Sequence, residues 1–289
     1  MNTPTDSLHR FLFDAAPVRG ELVRLNASWR TILAMHDYPS PLQQALGELL
    51  AAAVLLAATL KLRGSLVLQI QGQGALKLLV VECTGDLQVR ATAKWEGDLT
   101  RGRLRDWIGA GRFVITLDPK DGGQPYQGIV APDGDSVAEI LQDYMTRSEQ
   151  LDTRLLLAAD EHSAAGLLLQ KLPAESGGDA DLWARVGLLA DTVRNEELQA
   201  LPVADLLNRL FNEEDIRLFD AQEVSFGCTC SRDNVARMLQ LIGEDEVDAV
   251  LAEQGSVDVN CEFCNQRYVF EADDVAEVFA EPVETATRH

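Results

Sequence analysis

The sequence predicts an α+β protein, with an N-terminal antiparallel-sheet domain and packed helices, a helical linker and a small C-terminal zinc-binding module. Three observations carry this. Alternating apolar runs separated by glycine-containing turns fill residues 64–131, the pattern of an antiparallel meander. Two amphipathic helical patterns follow a break rich in Pro, Gly and Ser at 173–179. Four of the five cysteines then stand in two tight pairs. The expected boundaries are 1–172, 173–227 and 228–289.

Each element has its own signal. Leu22, Val23 and Leu25 mark a short strand. Pro41 opens a helix running from about Leu42 to Leu62. Its middle, Leu49 to Leu56, is apolar on nearly every side, which places it in a core or an interface. Ser65–Gln71 alternates Leu66, Leu68 and Ile70, and after Gly72-Gln73-Gly74 the chain returns over Leu76–Cys83. Asp86–Lys94 reads as a third strand through Leu87 and Val89. Arg112–Leu117 and Gln127–Ala131 add strands, and Ser136–Leu151 a helix through Val137, Ile140, Leu141 and Tyr144. The apolar runs Arg154–Ala158 and Gly166–Leu172 are expected to close the sheet. Strands, helix, then strands is an α+β order.

Pro173 to Asp179 reads as the start of the linker. Beyond it, one helix places Leu182, Val186, Leu189 and Val193 on a single face. A second gathers Val203, Leu206, Leu207, Leu210 and Phe211. Neither helix can bury its stripe alone, so each must dock on something. Ile216, Leu218, Val224 and Phe226 predict a short hairpin leading into the first cysteine pair, and the residues after Phe279 an acidic tail.

Composition narrows the function classes. At 46% hydrophobic residues, the 289-residue chain can bury a sizeable core, which excludes global disorder. Its net charge is −21, unevenly spread. Residues 1–172 carry 17 basic and 20 acidic side chains, and residues 173–289 carry 8 and 26. So acidic a chain is expected to bind neither nucleic acid nor anionic membrane. The longest apolar run, Leu49–Ala58, is ten residues, short of the roughly 18 of a membrane span. The N-terminus lacks the cationic and apolar regions of a secretory signal. The expected compartment is the cytoplasm, where cysteines serve as metal ligands or redox groups more often than as structural disulfides.

The chemistry rests on Cys228-Thr229-Cys230 and Cys261-Glu262-Phe263-Cys264, with thirty residues between the pairs. Two close pairs joined by an intervening segment are the layout of a four-thiolate zinc site. Ser231 is a good N-cap for a helix bearing Val235, Met238, Leu239 and Ile242, stopped by Gly243. Glu244–Gln254 offers a second helix ending at Gly255, and Val257, Val259, Tyr268 and Phe270 a hairpin around the second pair. Residues 228–289 are only 62, with 14 acidic and 4 basic side chains. So small and self-repelling a module needs a staple. Structural zinc can supply one, contributing on the order of 10–16 kcal/mol of apparent binding energy. Were the thiolates oxidised, the pairs could close within themselves. Such short disulfide loops restrict the chain little, so the module would loosen and free the 181–211 segment with its stripe exposed. Spacing alone leaves a static zinc staple and a redox switch both open.

Val224 through Arg232, followed by Cys261-Glu262-Phe263-Cys264 and Tyr268-Val269-Phe270, closely resembles the bacterial redox-regulated heat-shock chaperone family of about thirty-three kilodaltons. The resemblance extends upstream to Gly47 through Ala53, Ala57 through Lys61 and Leu68 through Gly72, and covers nearly the whole chain. It implies an ATP-independent holdase, inactive when reduced and holding one zinc per chain on Cys228, Cys230, Cys261 and Cys264. It further implies that oxidation forms Cys228–Cys230 and Cys261–Cys264, releases zinc, destabilises the linker and turns on binding of unfolding proteins, commonly as a homodimer. On this reading 1–172 is the core, dimerisation and client domain, and 228–289 the redox switch. The family supplies no client-contact motif. The linker stripe, Leu182, Val186, Leu189, Val193, Leu206, Leu207, Leu210 and Phe211, is the expected client surface. The competing readings are a static zinc adaptor and a thiol–disulfide oxidoreductase using Cys261 and Cys264. The latter pair does not open a helix in a βαβ unit, where such a motif sits, and the chain is read as a non-enzyme with no catalytic residue.

Other features have plainer readings. Cys83, in an apolar strand, is expected to be a buried inert thiol. Gly72-Gln73-Gly74 lacks the third glycine of a dinucleotide loop, since Lys77 stands there, and reads as a turn. Arg101, Arg103, Arg105 and Arg112 around Trp107 read as a solvated basic face. His36 beside Asp37, and His162 beside Asp160 and Glu161, come with no nucleophile motif. Asn26-Ala27-Ser28 matches a glycosylation sequon, which has no use in the cytoplasm.

Overall fold

A computed structural model describes residues 6–60, 63–120, 122–173 and 179–280. The expected helix end at Lys61 and Leu62, most of the linker start (174–178) and the acidic tail (281–289) lie outside the described residues. The chain divides into two compact units, Met1–Gly227 and Cys228–His289.

In chain order the larger unit begins with strands β1 (Ser7–Phe13) and β2 (Val18–Leu25) and helices α1 (Ala27–Leu33) and α2 (Ser40–Thr59). Strands β3 (Gly64–Gly72), β4 (Leu76–Thr84) and β5 (Gln88–Trp95) follow, then α3 (Leu104–Ile108), β6 (Gly111–Pro119), β7 (Tyr126–Val130), α4 (Val137–Arg147), β8 (Thr153–Ala159) and β9 (Ala164–Lys171). Helices α5 (Leu182–Ala190), α6 (Asn195–Ala200) and α7 (Val203–Phe211) lead to short strands β10 (Ile216–Leu218), β11 (Gln222–Glu223) and β12 (Ser225–Phe226).

The strands make two six-stranded sheets, not the single sheet expected. The first runs β10-β1-β2-β9-β8, with β11 also on β1, and the second runs β12-β5-β4-β3-β6-β7. β8 and β9 pair with β2 rather than with the meander, so they complete a different sheet. All pairings are antiparallel except β12 with β5. Helix α2 lies between the sheets, against β2, β8 and β9 of one and β3, β4 and β5 of the other. That position explains its all-round apolarity: Leu46, Leu49, Leu50, Val54 and Leu55 are fully buried. The helix is long and apolar enough to cross a membrane, yet here its apolar surface is taken up by two sheets. Close approach needs missing side chains. A Cβ on Gly166 would fall 2.7 Å from Leu55 Cδ1, and one on Gly47 only 2.5 Å from the Ala159 Cβ.

The first sheet is buried on both faces. Along β9, Ala164 and Leu168 join the core around α2, while Ala165, Leu167 and Leu169 face the other way. A strand covered on both sides reads as a continuous apolar run, as β9 does. Its outer face is covered by α5, α6 and α7. Phe211 of α7 meets Phe11 and Phe13 of β1 with ring centroids 6.3 and 5.2 Å apart. Polar contacts tie the same segment down. Arg24 Nε donates to the Leu198 carbonyl at 2.9 Å, Arg154 Nη1 to Asp191 Oδ1 at 2.7 Å, and Gln199 Nε2 to Ser163 Oγ at 3.1 Å. Residues 179–227, read from sequence as a linker, thus belong to the larger unit. Docking removes the two apolar stripes from water, which a free linker would leave exposed.

The hairpin expected over 216–226 does not form. β10 and β11 pair with β1, and β12 crosses to β5 of the other sheet. The open edges of β1 and β5 offer backbone partners that a two-stranded hairpin cannot match in a marginal segment.

The smaller unit contains α8 (Arg232–Ile242), α9 (Glu244–Gln254), a hairpin of β13 (Val257–Asn260) and β14 (Arg267–Phe270), and α10 (Ala272–Ala280). Its core is slight: Val235, Leu239, Val247, Val257, Phe270 and Val275 are the buried apolar residues among those described.

Candidate metal centre

The two cysteine pairs occupy two kinds of turn. Cys228-Thr229-Cys230 precedes α8, whose N-cap Ser231 accepts from the Asn234 backbone N–H at 3.1 Å. The Asn234 side chain turns back to donate to the Thr229 carbonyl at 2.7 Å, holding the middle of the pair against the helix start. Cys261 to Cys264 fill the turn of the β13–β14 hairpin. There the Asn265 N–H donates to the Cys261 carbonyl at 2.8 Å, and the Cys261 N–H to the Gln266 carbonyl at 2.9 Å. Asn265 adopts a left-handed conformation, φ 56°, which asparagine tolerates better than most residues. Position in a hairpin turn, not at a helix start, also separates Cys261 and Cys264 from an oxidoreductase motif.

The fold brings the four sulfurs together. All lie within 4.8 Å of one another. Cys228 Sγ is 3.6 Å from Cys261 Sγ, and Cys230 Sγ is 3.3 Å from Cys264 Sγ. None of the four is in a disulfide. A tetrahedral four-sulfur site with metal–sulfur bonds of about 2.3 Å has sulfur–sulfur edges of about 3.8 Å, so this spacing fits one. The electrostatics agree. Burial pushes the Cys264 and Cys230 thiols above their ordinary range, so without a cation they keep their protons. A bound dication reverses that balance and makes coordinating thiols thiolates. These four sulfurs can hold a metal ion.

Neighbours shape the site; the sequence shows their place near the cysteines but not their contacts. Tyr268 Oη donates to Cys230 Sγ at 3.2 Å, and that bond, with burial, lifts the phenol to about 12. Arg232 lies over the Phe270 ring, 4.2 Å from its centroid, donates to the Val269 carbonyl at 2.8 Å and pairs with Asp274 at 2.8 Å. It thereby pins the start of α8 to β14 and α10. Their signal in the sequence was proximity to the cysteines, but only the folded hairpin aims them.

The other candidates fall elsewhere. Of the expected client stripe, Leu182, Val186, Leu206, Leu207, Leu210 and Phe211 are buried, and Leu189 and Val193 partly so, all in the layer on the first sheet. In this conformation the stripe is covered. Cys83 is buried, its thiol raised to about 12 by burial. Arg103 and Arg105 both pair with Asp135. Gly72 to Gly74 form the turn before β4, where the Gly74 N–H donates to the Ile108 carbonyl at 2.9 Å. His162 is exposed beside Glu161, and the His36 ring lies 5.3 Å from that of Tyr38.

The family model described as Hsp33 protein matches residues 6–271. The 33 kDa chaperonin of Methylobacillus flagellatus is 57% identical over 95% of this chain and 94% of its own length. That of Chromobacterium violaceum is 54% identical over 98% and 97%. Among solved structures, the crystal structure of the 33 kDa chaperonin (heat shock protein 33 homolog) of Thermotoga maritima superposes with a TM-score of 0.80, covering 95% of this chain and 98% of that one. At 21% identity that likeness speaks to the fold. With identity this high sustained over nearly its full length, the chain belongs to the Hsp33 family, and its function is that of a chaperone.

Proposed function

We propose that this chaperone is a cytoplasmic holdase switched on by oxidation, with Cys228, Cys230, Cys261 and Cys264 as sensor and unfolding proteins as partners. The observation that carries the reading is the convergence of four sulfurs in a module whose own core, among the described residues, is six buried side chains. Those four cysteines would hold one zinc ion per chain in the reduced protein, and bound zinc would neutralise the thiolates and staple the module.

Oxidation acts on the sulfurs. Each pair, Cys228 with Cys230 and Cys261 with Cys264, gives up two electrons and forms one S–S bond. Two molecules of a peroxide oxidant accept the four electrons and, with four protons, leave as water. A sulfur in a disulfide is no longer a thiolate ligand, so the module loses its hold on the metal and its main constraint. The chain before Cys228 runs directly into β12, β11, β10 and α7. Loss of order spreading along that path would lift α5–α7 from the sheet and bare the stripe of Leu182, Val186, Leu189, Val193, Leu206, Leu207, Leu210 and Phe211 for clients. The dense negative charge of 173–289 would keep such a surface soluble, and the oxidised protein would act as a homodimer joined through 1–172.

The test is aggregation of a heat-unfolding client, followed by light scattering, with this protein reduced and zinc-loaded or treated with peroxide at mild heat. Released zinc is read with a chelating dye. Suppression in the oxidised sample alone, with zinc release, is expected. Equal behaviour of both samples would reduce the cysteines to a staple.

A further inference from the structure

A cavity of about 520 Å³ opens in the larger unit beside the C-terminal end of α2. Arg10, Arg19 and Arg63 line it, with Glu21 as the one carboxyl among the lining residues and Leu60 and Phe219 among its apolar walls. Leu60 is 39% and Phe219 43% exposed, so this apolar surface has no full cover among the described residues.

The charges do not cancel. Arg10 donates through Nη2 to the Ala58 carbonyl at 2.8 Å, and its Nε lies 3.6 Å from Glu21 Oε1, beyond hydrogen-bond range. Arg19 Nε donates to the neutral Gln170 Oε1 at 3.0 Å. Arg63 makes no ion pair among the described residues. The Glu21 side chain is 3% exposed, and its Oε2 has no hydrogen-bond partner. Burial pushes this carboxyl up to about 7, against the pull of Arg10 and Arg19, so near neutrality it offsets only part of one guanidinium. Each guanidinium has five N–H donors, and most of those on Arg10 and Arg63 are uncommitted. A chain of net charge −21 that turns three arginines on one concavity focuses positive potential there.

We propose that this cavity binds a carboxylate carrying an apolar tail, the head held by the guanidinium forks and the tail against Leu60 and Phe219. Guanidinium matches carboxylate in two-pronged geometry. A neutral ligand would leave the arginines unmatched, and a bare inorganic anion would leave the apolar walls wet. The volume lies within the roughly 300–1,000 Å³ of small-molecule sites.

The test is calorimetric titration of the full-length reduced protein with octanoate, and with acetate and octanol as head and tail alone. Octanoate should bind saturably at one per chain, with acetate and octanol at least about tenfold weaker. Arg63→Ala should weaken octanoate about tenfold, and Phe219→Ser should weaken it as well. Arg63 is exposed and outside any ion pair among the described residues, so its variant should keep the wild-type melting temperature and zinc content. Octanol equal to octanoate, an unaltered affinity in Arg63→Ala, or no saturation by about 10 mM octanoate would each overturn the assignment.

Discussion

Asp6 shows how one residue organises a segment. Its buried carboxylate accepts the backbone N–H groups of Asn26, Ala27 and Ser28 at 2.6, 2.7 and 2.6 Å, satisfying the start of α1. Asp6→Ala would leave these donors unmet, and a loss of about 2–3 kcal/mol in denaturant unfolding is expected. Such a cap cannot be read locally, because its donors lie about 20 residues away in the chain. The cysteine pairs were legible for the opposite reason: each is a local spacing. Glu21 provides a pH test. Its folded pKa, about 7, exceeds the unfolded value near 4.5 because burial disfavours the charged form. From about pH 4.5 to 7 the folded state keeps a proton that the unfolded state has lost. The resulting stability is complete below 4.5 and is lost as pH rises through 7. Glu21→Gln should flatten that decline, by on the order of 2–3 kcal/mol between pH 5 and 8 in urea unfolding.

At the scale of elements, the legible parts were those whose pattern is set by one neighbour. β3, β4 and β5 alternate and are joined by tight turns, and α4 shows its face clearly. β1 gives no alternating signal because it is buried on both sides: Leu8 joins the core around α2 while Phe11 and Phe13 join the helical layer. β10 to β12 depart from the expected hairpin because their partners, β1 and β5, are far away in sequence. The stripe of α5 and α7 was visible, but its dock was not, since the receiving sheet is assembled from both ends of the larger unit. That dock gives an expectation for activity. Phe211→Ala removes a buried ring from the Phe11–Phe13 cluster and should cost about 3–5 kcal/mol. If the covered stripe is the client surface, this variant should suppress client aggregation in light scattering even when reduced, and the wild type should not.

The whole molecule is two units of unequal self-sufficiency. The larger has a helix enclosed by two sheets and a second apolar layer outside. The smaller has, among the described residues, six buried apolar side chains and a cluster of four thiols. Chelation of zinc under reducing conditions should therefore melt 228–280 at a temperature where the larger unit's calorimetric transition survives. Substitution of any one of Cys228, Cys230, Cys261 or Cys264 by Ser should do the same, and Cys83→Ser should not. The composition break at residue 173 does not coincide with the division between the two units at Gly227 and Cys228, because acidity follows solubility whereas packing follows the apolar stripe. The central claim joins the units: oxidation at four sulfurs frees helices that are folded onto a sheet. Amide hydrogen exchange across 182–211, compared between reduced zinc-loaded and peroxide-treated protein, tests it most directly. The account predicts that protection in α5 and α7 collapses along with that of 228–280, while α2 stays protected. Full protection of α5 and α7 after oxidation and zinc loss would contradict it.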